Sequence, residues 1–149
     1  MSEPRDVPKE LARGLCRALA QRGFATLLEV SLANGRRADV LALGRDGEIV
    51  VVEVKSSVAD FKNDHKWPEY RDFCDRLYFA VPAGFPAELI PNECGLIVAD
   101  PFGAAIVREA AAVPLAAARR RAVLLRFARL GAGRLRRLID PAIDDPELG

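Results

Sequence analysis

The sequence has few of the residues that build nucleophilic triads, zinc sites and disulfides. It holds one histidine, His65, and three cysteines that lie far apart, at positions 16, 74 and 94. An odd cysteine count with no CxxC pair argues against structural zinc. A Ser-His or Cys-His triad would need His65 as its base, and we expect His65 to be incidental. Unpaired thiols suit a reducing compartment, so we expect a cytoplasmic protein.

Long apolar runs and an excess of either charge are also missing. The N-terminal segment MSEPRDVPKE is polar rather than signal-like, and no apolar run approaches the ~18 residues of a membrane span. We therefore expect no membrane partner. The net charge is +1, with 22 Lys and Arg against 21 Asp and Glu, so bulk charge by itself does not predict nucleic-acid binding.

The overall composition is that of a folded globular protein. Half of the residues are hydrophobic and 29% are charged, which allows a buried core, and 149 residues fit one domain. We expect a single domain over residues 1–149, with its core at about 8–110 and an Arg-rich helical segment at about 114–140. That segment concentrates positive charge, because residues 110–139 include eight arginines and no acid.

Turn signals and periodicity divide the chain into helices and strands. Leucines at every fourth position from 11 to 19 are typical of a helix, and Asn-Gly at 34–35 and Asp-Gly at 46–47 are hairpin signals. The sequence predicts an α/β fold in which a mixed sheet is flanked by helices. The predicted elements are a helix at 8–22, strands at 24–32, 38–43 and 48–55, polar helical stretches within 57–75, a strand at 76–81, a hairpin at 95–108, and Arg-rich helices at 115–130 and 134–139 separated by a break at 131–133.

The third predicted strand carries two charges where apolar side chains are expected. Glu53 and Lys55 interrupt the run IVVVEVK, and residues two apart on a strand point to the same side. Burying a charged pair breaks even at best, so core packing alone would favour Ile or Val at both positions. The alternatives are therefore a functional site and a purely structural ion pair.

Asp39 is a further acid in a predicted strand, across the Asp-Gly turn from Glu53. A two-residue loop would pair Asp39 with Val54 and separate the two carboxylates. A three-residue loop at 45–47, with Gly47 in the left-handed conformation, would pair Asp39 directly with Glu53. We expect this second register if the site is functional, because it places both acids and the lysine on one face.

Two facing carboxylates repel each other unless a cation joins them, and hard oxygen ligands favour Mg²⁺ or Mn²⁺. A metal held by Asp39 and Glu53 would polarise a phosphate and lower the pKa of a bound water. Lys55 could orient that water or stabilise the charge that develops on phosphorus. These residue types in this arrangement predict metal-dependent hydrolysis of phosphodiesters.

The spacing of these residues resembles that of a known nuclease superfamily. An Asp followed fourteen residues later by Glu-Val-Lys, on adjacent strands after an N-terminal helix, resembles the PD-(D/E)XK nucleases, although Ala38 stands where their motif has proline. The segments GRRADVLALGRDGEIVVVEVKSS and DHKWPEYRDFCDRLYFAVP resemble the MmcB family of bacterial DNA repair proteins, over most of the chain.

This resemblance implies a fold, a metal site and a partner. The fold is a restriction-endonuclease-like αβββαβ core over about 8–81. The ligands of Mg²⁺ or Mn²⁺ are Asp39, Glu53 and the backbone carbonyl of Val54, and the catalytic lysine is Lys55. The partner is DNA, with protein partners in DNA repair; a homodimer stays an open alternative.

The superfamily often adds an upstream acid, and two residues are candidates. Glu29 has the same strand parity as Asp39 in an otherwise apolar run, so it is preferred over a plain surface acid. Glu10, at the start of the first helix, is more easily explained by the helix dipole. The cations at 9, 13 and 17 of that helix recur along one face, which favours a solvated surface over a phosphate contact.

Two groups of residues are candidates for contacts with DNA phosphates. The first belongs to a polar segment that could instead be a solvated helix above packed aromatics. The second belongs to the Arg-rich region, whose side chains could clamp DNA or could cover the core with their aliphatic stems. The candidates are Lys66, Tyr70, Arg71, Arg119, Arg120 and Arg121.

Two classes of function follow from these patterns. One is an active, metal-dependent DNA endonuclease that serves repair. The other is a non-catalytic DNA-binding or scaffold subunit with a nuclease-like fold. The complete set of Asp39, Glu53 and Lys55 favours the enzyme, because a binding-only protein has no reason to retain three buried charges.

Overall fold

The computed structural model describes residues 4–146, which form one mixed sheet with helices on both faces. No helix among these residues combines the length and the apolar character that crossing a membrane requires. The elements in chain order are helix α1 (Val7–Gln21), strands β1 (Ala25–Ser31), β2 (Arg37–Leu43) and β3 (Ile49–Val54), helix α2 (Val58–Asn63), a 3-10 helix (Trp67–Phe73), strand β4 (Arg76–Val81), a short 3-10 helix (Ala87–Leu89), strands β5 (Gly95–Ala99) and β6 (Ala104–Arg108), and helix α3 (Ala117–Ile139).

The six strands lie in sequence order across the sheet. Strands β1, β2 and β3 form an antiparallel meander, β3, β4 and β5 are parallel, and β6 returns antiparallel to β5. The parallel step from β3 to β4 needs a crossover, which α2 and the 3-10 helix Trp67–Phe73 supply. The predicted α/β fold with its αβββαβ core, followed by a hairpin, is confirmed.

Both faces of the sheet are covered, because the central strands are apolar on both sides. Helix α1 packs Leu15 against the face that includes Val52. The opposite face, with Phe79 at its centre, is covered by Phe73 of the 3-10 helix and Val123 of α3. All six residues of β3 are buried, so any polar side chain on that strand must find its partners inside the protein.

The turn between β2 and β3 has the three-residue form that the functional interpretation required. Gly44 donates its N–H to the carbonyl of Glu48 at 2.8 Å, so these two residues close the ladder. Gly47 has φ +89°, the left-handed conformation that glycine adopts without steric cost. The register that follows pairs Leu43 with Ile49 and Val40 with Val52, which confirms the predicted alignment of the two strands.

Helix α3 runs without interruption over Ala117–Ile139, so the predicted break at 131–133 and the two separate helices are wrong. A glycine inside a helix costs about 1 kcal/mol relative to alanine. Contacts with β1 offset that cost: Leu27 packs against Gly131, and Arg134 donates hydrogen bonds to two backbone carbonyls of β1.

Asp75, at the start of β4, fastens α3 to the sheet. Its carboxylate accepts the N–H groups of Ile49 at 2.8 Å and Leu115 at 2.9 Å, and it binds both terminal nitrogens of Arg120 at 2.6 and 2.8 Å. Burial opposes the charged form, but Arg120 and the backbone donors outweigh it and lower the pKa of Asp75 to about 2. This partly buried ion pair anchors the first turn of α3 to the sheet.

Candidate active site

Asp39 and Glu53 meet where β2 and β3 begin to separate. The ladder pairs Val40 with Val52, and the next residues in register are these two acids. The Glu53 carboxylate accepts the backbone N–H of Asp39 at 2.9 Å, and the Asp39 carboxylate accepts the N–H of Val54 at 2.8 Å. Side-chain oxygens thus satisfy backbone donors that the parting strands no longer pair.

Burial raises the pKa values of both acids, and the charge of Asp39 adds to the shift of Glu53. For Glu53 the largest cause is burial and the next is the charge of Asp39, and together they raise its pKa to about 8. Burial also raises the pKa of Asp39. Both shifts favour the protonated forms of these carboxyl groups over the charged forms. Two acids held together in this way are typical of a site that a cation completes.

Lys55 is buried immediately after β3, and its ammonium group has one carboxylate partner. Its Nζ lies 2.7 Å from Oδ2 of Asp64, and its backbone N–H donates to the carbonyl of Ala80 at 2.9 Å. Burial opposes ionisation of Asp64, but hydrogen bonds from Lys55 and from backbone groups outweigh it and lower the pKa of Asp64. No sequence pattern singled out Asp64 within the polar stretch at 57–75. The signal that could have identified it is that a buried lysine needs a nearby acid.

Tyr70 lies beneath the acids rather than at the surface. Its side chain is buried, and its hydroxyl donates to the carbonyl of Arg37 at 2.9 Å. Burial and the neighbouring Glu53 raise the pKa of Tyr70. The hydroxyl therefore holds the backbone next to the acids in place. Because the Tyr70 side chain is buried, this position does not suit the expected contact with a phosphate.

Glu29 lies opposite Asp39 in a strained conformation. On either side of it Leu28 pairs with Val40 and Val30 with Ala38, while Glu29 itself has φ +51°, in the left-handed region that non-glycine residues rarely adopt. Its carbonyl oxygen accepts a hydrogen bond from Arg134 of α3 at 2.9 Å. The exposed Glu29 side chain borders the same cavity as Asp39.

The cavity beside Asp39 has a volume of about 390 Å³ and lies between the start of α1 and the ends of β1, β2 and β3. Lys9 borders it, although its spacing along α1 favoured a purely solvated role. Proximity to Asp39 makes Lys9 a candidate for contact with an anionic substrate. No sequence pattern distinguishes Lys9 from Arg13 and Arg17, which recur on the same helix face. The lining residues are Asp6, Pro8, Lys9, Ala12, Leu28, Glu29, Asp39 and Val54.

The donor set at this site fits a hard divalent cation. Mg²⁺ is commonly held by one or two carboxylates and keeps several waters. Asp39 and Glu53 supply two carboxylates, and the backbone of Val54 lies beside them. Within residues 4–146 no group of three His, Cys, Asp or Glu side chains is arranged to hold a metal ion.

Of the remaining candidates for DNA contacts, most have exposed side chains, and one is held by partners within the protein. Lys66, Arg71 and Arg121 are exposed, and Arg71 reaches Glu93 at 3.5 Å. Arg119 is also exposed and stacks over the ring of Phe73, 4.3 Å from its centre. Arg120 is committed to Asp75 and to the carbonyl of Gly47, so its guanidinium has a structural role.

Comparison with known proteins links the chain to DNA repair. A family model described as DNA repair protein MmcB-like matches residues 5–142. Among solved structures, a protein of unknown function from Silicibacter pomeroyi is 45% identical, with a TM-score of 0.91, over 97% of this chain and 99% of that chain. A repair endonuclease from Pyrococcus abyssi is 18% identical, with a TM-score of 0.38, over 55% of this chain and 40% of that chain. Comparison with curated proteins gave no match.

Proposed function

Because the chain belongs to the MmcB-like family of DNA repair proteins, we propose that it is a metal-dependent deoxyribonuclease with an active site of Asp39, Glu53 and Lys55. The observation that carries this proposal is that Asp39 and Glu53 lie side by side on β2 and β3. Lys55 follows Glu53 by two residues and is held by Asp64. A protein that only bound DNA would gain nothing from keeping a buried and a partly buried acid side by side, where both pKa values are raised.

Mg²⁺ or Mn²⁺ is the cofactor in this proposal, with Asp39, Glu53 and the carbonyl of Val54 as ligands. When bound, such a cation polarises a phosphate and lowers the pKa of a water molecule. With such a cation bound, Glu53 would be deprotonated and would serve as a second anionic ligand beside Asp39. Glu29, which borders the same cavity, would be an additional acid of the site.

Lys55 assists the attack of water on phosphorus in this proposal. Its ammonium group donates to the attacking water or to the non-bridging oxygen on which charge develops as the phosphorus–oxygen bond breaks. Asp64 holds Nζ at 2.7 Å and is itself fixed by the N–H of Lys66 at 2.8 Å. Asp64 is therefore a positioning residue, which keeps Lys55 beside the acids without touching the substrate.

Exposed cations around the site supply the attraction to DNA. Lys9 borders the cavity of Asp39, and Lys66 follows the positioning acid Asp64 in the chain. Arg71, Arg119 and Arg121 add positive charge at a greater distance. Contacts of this kind give binding that depends on salt and not on base sequence.

A cleavage assay tests the proposal. Supercoiled plasmid and labelled duplex or single-stranded oligonucleotides are incubated with wild-type protein and Mg²⁺, Mn²⁺ or a chelator, under single-turnover conditions. We expect cleavage only with the metal, and Lys55→Ala should reduce the rate by about two orders of magnitude or more. Lys62→Ala removes an exposed lysine of α2 and is the matched control, which should cleave like wild type.

The variants also separate catalysis from binding. Lys55→Ala should leave DNA affinity nearly unchanged, since one charge makes a small part of a polyelectrolyte interaction. Equal cleavage by wild type and Lys55→Ala would remove Lys55 from the mechanism and point to a contaminating nuclease. DNA binding without metal-dependent cleavage would favour the non-catalytic repair subunit instead.

A further inference from the structure

The side of α3 that faces away from the sheet carries a regular apolar stripe. The stripe consists of Leu125, Ala128, Ala132, Leu135 and Ile139, spaced alternately three and four residues apart. This spacing keeps all five on one face of a helix and is the pattern of helices that pack against other helices. We refer to these five residues as the outer seam.

The large members of the outer seam are exposed to solvent. Leu125 is 53% exposed, Leu135 58% and Ile139 64%, whereas Val123 and Leu130, on the inward side of the same helix, are buried. Helix α3 is therefore apolar on two faces, and the sheet uses only one of them. Contiguous apolar side chains left in water commonly mark an interaction surface.

The outer seam begins beside a shallow, open depression and has two alanines at its centre. An open groove of about 590 Å³ adjoins Leu125 and Ala128 and is lined further by Leu115 and Leu124. The two alanines of the seam leave space for large side chains of a second helix to insert. Spaces of this kind between large apolar side chains suit the side chains of a partner helix.

The charges beside the seam determine what kind of helix fits. Arg121 lies one turn before Leu125, and Arg136 follows Leu135, while no acid occurs from 110 to 139. A second copy of this chain would place arginines against arginines, which opposes pairing of like seams. Charge complementarity instead requires acidic residues on the partner.

We propose that the outer seam binds an acidic amphipathic helix of a partner protein. The apolar face of that helix packs on Leu125, Leu135 and Ile139. Its flanking glutamates or aspartates pair with Arg121 and Arg136. This surface is separate from the acids at the ends of β2 and β3, so the inference does not depend on the proposed nuclease activity.

Synthetic peptides test this inference on the full chain. The acidic probe is a labelled helical peptide of about three heptads, with leucine at the a and d positions and glutamate at the flanking positions; the basic probe has lysine in place of glutamate. Fluorescence anisotropy should give at least about tenfold tighter binding of the acidic probe. Leu135→Asp should weaken that binding by about tenfold or more, and so should Leu125→Asp.

Matched controls and competing occupants decide the outcome. Val107→Asp changes a 60% exposed apolar residue on β6 and should bind the acidic probe like wild type. Failure of folded wild type to bind the acidic probe, or equal binding of both probes, overturns the inference. The inference is likewise overturned if sedimentation shows that wild type is a dimer and Leu135→Asp a monomer, because a second copy of the chain would then occupy the outer seam. The inference is also overturned if phosphatidylglycerol vesicles bind wild type but not Leu135→Asp, because the occupant of the outer seam would then be a lipid surface.

Discussion

Asp64 gives the Lys55 side chain a fixed direction at the edge of the candidate site. Both side chains are nearly buried, at 13% and 10% exposure, and the ion pair is 2.7 Å long. An interaction of this kind matters less for net stability than for orientation, because desolvation of the two charges offsets much of their attraction. The consequence for the proposed reaction is that Lys55 meets the substrate already aligned.

Replacement of Asp64 by asparagine tests this positioning role. We expect Asp64→Asn to lower the single-turnover cleavage rate by about tenfold to a hundredfold, because a small misplacement of a catalytic group is costly. Binding of Mn²⁺ should be unchanged, since both carboxylate ligands remain. Asp72→Asn, an exposed acid of the neighbouring 3-10 helix, is the control. A parallel loss of metal binding in Asp64→Asn would assign Asp64 to the metal site or to general stability.

Asp75 makes the stability of the protein dependent on acid pH. Its folded-state pKa of about 2 lies below the unfolded value of about 3.9, so its stabilising contribution is complete above pH 4 and disappears as the pH falls toward 2. The contribution at neutral pH is roughly 2 kcal/mol. Asp75→Asn should therefore unfold at lower urea concentration than wild type at pH 7, and the difference should shrink by pH 2.5. Asp72→Asn should change little, and a gap between Asp75→Asn and wild type that stays constant with pH would refute this account.

The chemistry of single residues was partly readable in the sequence. Glu53 and Lys55 stand out because a strand buried on both faces should be apolar throughout. The strained φ of Glu29 and the pairing of Lys55 with Asp64 could not be predicted, because they depend on contacts between segments far apart in the chain. The same holds for Arg120, whose partner Asp75 lies 45 residues away.

Local turn chemistry predicted the elements better than helix propensity did. The Asp-Gly turn predicted the hairpin between β2 and β3 but left two registers open. The left-handed Gly47 and the three-residue loop select the register that pairs Val40 with Val52. The glycines at 131 and 133 weaken a helix locally, yet α3 is continuous because β1 supplies contacts at Gly131 and Arg134. Propensity fails there because packing against the strand outweighs a cost of about 1 kcal/mol per glycine.

Substitution of Gly131 tests the continuity of α3. A Cβ at this position would lie 3.6 and 3.7 Å from the methyl carbons of Leu27, which is ordinary packing distance. We expect Gly131→Ala to raise the free energy of unfolding by about 0.5–1 kcal/mol in urea titrations, because alanine has the higher helix propensity.

Gly47→Ala is the opposing control for this measurement. It should lower the free energy of unfolding by about 1–2 kcal/mol, since its φ of +89° is unfavourable for any residue with a Cβ. Destabilisation by Gly131→Ala, of a size similar to that of Gly47→Ala, would mean that the helix breaks at that position after all.

Across the whole molecule, the two ends of the sheet hold two different groups of charged residues. At one end Asp75 and Arg120 fasten α3, and at the other Asp39, Glu53 and Lys55 meet beside the start of α1. Helix α3 touches both ends, because Arg134 also binds the carbonyl of Glu29. The framework was predictable from apolar patterning and turns, whereas the closeness of α3 to the site required the tertiary structure.

The claim on which the proposed function depends is that Asp39 and Glu53 together hold one divalent cation. The most direct measurement is titration of the full chain with Mn²⁺, followed by electron paramagnetic resonance of the unbound ion. We predict one site in wild type, its loss in Asp39→Asn and Glu53→Gln, and its retention in Lys55→Ala and in Glu88→Gln, a change at an exposed acid far from the site. Unchanged Mn²⁺ binding in Asp39→Asn and Glu53→Gln, or no binding by wild type, would contradict the account.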